Sequence, residues 1–90
     1  TIKIMITTNC CTSNPFGEFK AILIIRKSEY IIENGGLSIK LYSNGKPRKN
    51  SVIIQYCLTI PNYVNNKNWS VFYISEDKAT ELQIIINKTQ

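Results

Sequence analysis

The chain predicts an α/β domain with a sheet of about four or five strands and one or two helices, the alternative being a small α+β domain with a C-terminal helix. Three observations predict it. Apolar and polar residues alternate at Ile2, Ile4 and Ile6, and again at Leu37, Ile39 and Leu41, the period of a strand with one buried face. Phe19 to Ile25 is apolar enough for a central strand. Ala79, Leu82, Ile85 and Ile86 recur at helical spacing.

The elements follow in order. Ile2 to Thr7 is the first strand, and Asn14-Pro15-Phe16-Gly17 signals a turn. Phe19 to Ile25 is the second strand, closed by the charged turn Arg26-Lys27-Ser28-Glu29. Tyr30-Ile31-Ile32 begins a third, interrupted at Gly35-Gly36 as by a bulge or a turn. Alternation resumes from Leu37 to Tyr42, and Ser43-Asn44-Gly45-Lys46-Pro47 is a loop.

Ser51 to Ile60 reads two ways. Val52, Ile53, Ile54, Tyr56 and Thr59 favour a strand by propensity. Val52, Ile53, Tyr56, Cys57 and Ile60 also fall at helical spacing, with Asn50 or Ser51 to cap a helix and Pro61 to stop it. Trp69 to Ile74 is a further strand. Ser75 then caps a final helix, whose first turn carries Glu76 and Asp77 where carboxylates suit the dipole.

Ninety residues make one domain with a small core, and 43% hydrophobic content argues against wholesale disorder. No apolar stretch approaches the roughly 20 residues of a membrane span, so no membrane partner is expected. Thr1 opens on a strand-like pattern without the charged start and apolar run of a signal peptide. The cysteines Cys10, Cys11 and Cys57 are odd in number and lack a disulfide framework spacing, which argues for a reduced, intracellular protein. Adjacent Cys10 and Cys11 would point to opposite faces of a strand and make a poor metal pair. The chain has no histidine, so it lacks the usual base near neutral pH and the commonest zinc ligand. Ser, Thr and Cys nucleophiles therefore have no histidine to activate them. Asn68-Trp69-Ser70 and Asn87-Lys88-Thr89 match the glycosylation pattern, which arises by chance in an Asn-rich chain.

A net charge of +5 favours acidic partners such as nucleic acid or a membrane surface, or serves solubility alone. Lys46, Arg48 and Lys49 gather around Pro47, where they are either a track for a phosphate backbone or an ordinary solvated turn. Among the aromatics, Phe19, Trp69 and Phe72 read as core, whereas Phe16 and Tyr63 lie in loops and suit contact.

Two stretches carry a family resemblance. Thr7-Thr8-Asn9, Cys11, Ser13-Asn14-Pro15 and Ala21-Ile22-Leu23 fall in the order and nearly the spacing of the opening of type I ribonuclease H. Gly35-Gly36 resembles the glycine region of that family's third strand, and Ile74-Ser75-Glu76-Asp77-Lys78-Ala79 resembles the end of its fourth strand and the start of the next helix. The resemblance covers most of the chain but only the first part of a usual family domain. It implies a mixed central sheet, a helix over 51–60 and a duplex or hybrid partner. Asn14 and Asn50 match the Asn residues that help hold that duplex, although Asn in such places also simply makes a turn or cap.

The departures from the family are chemical. Its reaction needs carboxylates converging on divalent metal. Thr8 stands where the first Asp should be, Ile53 or Ile54 where the helix Glu should be, and only Glu76 keeps a carboxylate. No metal site, cofactor or enzymatic activity is expected. The leading expectation is a non-catalytic binding module for nucleic acid, or for a protein of a nucleic-acid-processing assembly. Asn14, Lys46, Arg48, Lys49 and Asn50 are its candidate binding residues. A structural, self-associating domain is the second expectation, through a sheet edge left open by the missing segment. Residual metal-dependent nuclease activity through Glu76 with Asp77 or another acid is the third.

Overall fold

A computed structural model describes residues 2–8, 12, 14, 17–65 and 67–88. The readings placed on Asn9, Cys10, Cys11, Ser13, Pro15 and Phe16 lie outside the described residues. Among the described residues six strands and one α-helix form: β1 (Ile2–Thr8), β2 (Ala21–Arg26), β3 (Tyr30–Glu33), β4 (Gly36–Tyr42), β5 (Val52–Gln55), β6 (Trp69–Ile74) and α1 (Glu76–Asn87). Short 3-10 turns occupy Lys27–Glu29 and Asn62–Asn65.

The strands make two three-stranded antiparallel sheets, ordered β1-β4-β3 and β5-β2-β6. The fold is thus a small α+β domain with a C-terminal helix. The single mixed sheet that the resemblance implies does not form. A parallel pair needs a crossover of a dozen or more residues, usually a helix, and the one α-helix among the described residues follows the last strand. Residues 52–55 are a strand rather than part of a helix over 51–60. Ile25 pairs with Val52, Ile24 with Ile53 and Leu23 with Ile54, so ladder hydrogen bonds to β2 decide what local spacing left open.

The β3–β4 hairpin turns at Asn34 and Gly35, with φ of 53° and 77°. Two successive positive φ values define the tight turn whose twist matches the flanking strands, and Asn-Gly is its preferred pair.

The central strand β2 is buried on both faces. Ala21, Leu23 and Ile25 enter the larger core with Leu37 and Ile39 of the other sheet, Phe72, Ile74, and Ala79 and Leu82 of α1. Ile22 and Ile24 face the opposite way and pack with Val64 and Trp69. Phe72 and Trp69 are core residues, as their sequence positions predict; Phe19, read with them as core, is only half-buried and lies ahead of β2. Ser75 caps α1 by accepting from Lys78 N at 3.2 Å. Ile4 and Met5 on edge strand β1, and Ile31 and Ile32 on edge strand β3, are exposed. No helix among the described residues is long and apolar enough to cross a membrane.

Candidate nucleic-acid interface

The loop between β4 and β5 is built by its own short hydrogen bonds. Tyr42 N donates to Lys46 O and Gly45 N to Tyr42 O, closing a turn in which Gly45 takes φ 79°. Lys46 N donates to the side-chain oxygen of Asn44 at 2.9 Å. Ser51, fully buried, donates both its hydroxyl and its backbone N–H to Arg48 O. Asn50 sits between them at φ 62°, a left-handed conformation that Asn tolerates better than most residues. The loop and the end of α1 enclose a cleft of about 450 Å³, lined among others by Lys46, Arg48, Lys49, Asn50, Ile53 and Ile86. Four of the five candidate binding residues therefore share one cleft.

Arg48 is tied inward. Its Nε lies 3.5 Å from Oε2 of Glu29, a buried carboxylate that also accepts from the Tyr42 hydroxyl at 2.7 Å and from Ser28 Oγ at 3.2 Å. The guanidinium donates to the same Tyr42 hydroxyl at 3.4 Å and lies over its ring. The hydrogen bond to Tyr42, then charge interaction with Tyr42 and Glu29, raise the Arg48 pKa above its ordinary value, so it stays cationic at working pH. Arg48 holds the loop against the turn at Lys27–Glu29, while its side chain stays two-thirds exposed.

Sheet pairing brings in further cations that are distant in sequence. Arg26 ends β2, and its N–H donates to Ser51 O at 2.9 Å; the next N–H, of Lys27, donates to Asn68 O at 2.9 Å. The end of β2 and the starts of β5 and β6 therefore lie side by side. Lys49, Arg26 with Lys27, and Lys67 come from three separate connections and meet at this end of the sheet. Lys40 reaches it too, its Nζ donating to Ser28 O at 2.8 Å. Lys88 lines a neighbouring groove with Gly45.

The acids lie elsewhere. Ala21 pairs with Ile74 at the opposite end of the sheet, where Glu18 precedes the first and Glu76 and Asp77 follow the second. Glu33 is at the far end of β3 from Glu29, and Glu81 pairs with Lys78 on α1 at 3.1 Å. Among the described residues the only acid at the basic end is Glu29, and Lys27, Lys46, Lys49 and Lys67 make no ion pair. Of these, Lys27, Lys49 and Lys67 are exposed and Lys46 half-buried; cations without carboxylate partners keep their attraction for phosphate.

One predicted residue stands apart. Asn14 is in the connection leading to β2, at the acidic end, where its side chain donates to Phe19 O and accepts from Phe19 N, both at 3.2 Å. Thr8 is buried at the end of β1, and Ile53 and Ile54 point to opposite faces of β5, each packed on a different core cluster. Glu76 and Asp77 occupy the first turn of α1. No group of three His, Cys, Asp or Glu side chains able to hold a metal ion occurs among the described residues. Arg26, Lys27 and Lys67 were not among the predicted binding residues, since each is unremarkable in its own window and only strand pairing joins them. Comparison with family models, curated proteins and solved structures found no match to the chain.

Proposed function

We propose that this domain is a non-catalytic nucleic-acid-binding module whose contact surface is the basic end of the β5-β2-β6 sheet. The observation that carries the reading is the segregation of charge. Cations from three connections converge at one sheet end, and the one acid there is buried and engaged with Arg48. Lys46, Lys49, Arg26, Lys27 and Lys67 would take phosphates, with Asn50 holding the turn that presents Lys49. Binding without chemistry is supported by residue type: the chain has no histidine to act as a base near neutral pH. The reading does not rest on the ribonuclease H resemblance or on Asn14, which lies away from the basic end.

A salt titration tests it. If four of these cations displace counterions, log K against log salt falls with a slope of about −3 on single strands and nearer −4 on duplex. Fluorescence anisotropy of labelled oligonucleotides between about 50 and 200 mM salt measures that slope, in the range where phosphate contacts respond most. Absence of binding at the low-salt limit, or a slope near zero, contradicts the proposal.

A further inference from the structure

We infer that the strand held at the basic end is single-stranded, with an unpaired base stacked on Tyr63. The inference rests on the nucleic-acid reading above and names its ligand class. Tyr63 lies in the 3-10 turn before β6 and is 45% exposed, although it is a large aromatic. Its ring meets Trp69 edge-on, with centroids 5.9 Å apart and planes at 71°. Trp69 is covered in turn by the Arg26 guanidinium, 4.5 Å from its centroid. Arg26, Trp69 and Tyr63 thus form a continuous cation–aromatic series. It begins at the residue bonded to Ser51 and runs beside Lys27, whose N–H is bonded to Asn68.

This arrangement suits one kind of ligand. Single strands are held by cations that follow the backbone and by aromatic rings that accept successive bases, whatever the sequence. Paired bases in a duplex have no face to offer such a ring. A duplex is read instead by a helix or a β-ribbon laid in a groove. The only α-helix among the described residues reaches the basic end by its C-terminus, near Lys88 and Ile86, and carries the unfavourable end of its dipole there. Trp69 is itself packed in the core, so it supports the platform while Tyr63 presents the surface.

The test compares Tyr63→Leu and Tyr63→Phe with the parent chain, on a labelled oligothymidylate of about 12 nucleotides, a length within the usual site range, and on a duplex of the same length. Tyr63→Leu should weaken single-strand binding about tenfold, the size of one lost base stack. Tyr63→Phe should keep near-parent affinity, because the ring is retained. Trp69, the single tryptophan, should change its fluorescence on single-strand binding in the parent chain. Circular dichroism melts confirm that both variants are folded. Equal or tighter binding of duplex, with Tyr63→Leu neutral on single strands, overturns the inference and leaves the basic-end reading intact. Failure to bind either ligand overturns both.

Discussion

Replacing Lys49 and Lys67 together by Glu is expected to weaken oligonucleotide binding on the order of 100-fold near 50 mM salt, since each lost phosphate contact costs about tenfold there. The matched control is Lys20→Glu with Lys78→Glu, which removes the same net charge. Lys20 precedes β2 and Lys78 lies in the first turn of α1, at the acidic end. That control is expected to shift affinity by only about twofold, because added charge more than a Debye length, about 14 Å at 50 mM salt, from the contact is screened. Anisotropy titrations of both double variants decide between a local surface and mere net charge. Equal losses in the two would mean that the +5 balance, rather than its placement, attracts the ligand. Lys49 and Lys67 are both exposed and outside the core clusters, so neither change is expected to unfold the domain.

The second large effect is on stability. Leu23 is fully buried at the centre of β2, opposite Ile54 on one side and Phe72 on the other. These three form a row across the sheet on the face turned to α1 and the β1-β4-β3 sheet. Leu23→Ala removes three carbons from a site walled by two neighbouring strands, which cannot close the space. A loss of about 3–5 kcal/mol is expected. A domain of this size has only about 5–13 kcal/mol in total, so the melting temperature should fall by at least about 12 °C. Ile84→Ala is the contrast: Ile84 is 64% exposed on α1, and its truncation should change stability by less than about 0.5 kcal/mol. Thermal unfolding followed by circular dichroism measures both. A small effect at Leu23 would contradict its place in the core.

Much of the fold was legible because period-two alternation survives in a single sequence window. Ile2 to Thr7, Leu37 to Leu41 and Trp69 to Ile74 all became strands, and Ser75 became the cap of α1. Residues 52–55 were legible only in part: propensity there favours a strand, which forms, but the same residues also fall at helical spacing, and the pairing of Val52 to Gln55 with β2 settled the matter through tertiary hydrogen bonds. The turn falls at Asn34-Gly35 and Gly36 already belongs to β4; adjacent Gly35 and Gly36 make the turn's position ambiguous within a single sequence window. The basic loop at Lys46 to Lys49 was visible as a run of charges. Its internal use of Arg48 was not, since Glu29 and Tyr42 lie in other segments. The contribution of Arg26, Lys27 and Lys67 depends on the strand order β5-β2-β6, which no local pattern encodes. Asn14 was visible as a turn residue, and its bonds to Phe19 are those of a turn.

The most direct test is to follow backbone amide resonances of the folded chain while a short oligonucleotide is added. The surface described above predicts that Arg26, Lys27, Lys49, Ser51, Tyr63, Asn68 and Trp69 shift together and saturate at one affinity, while Ser75 to Thr80 stay in place. Shifts concentrated at the start of α1, or spread evenly over both sheet ends, would contradict it.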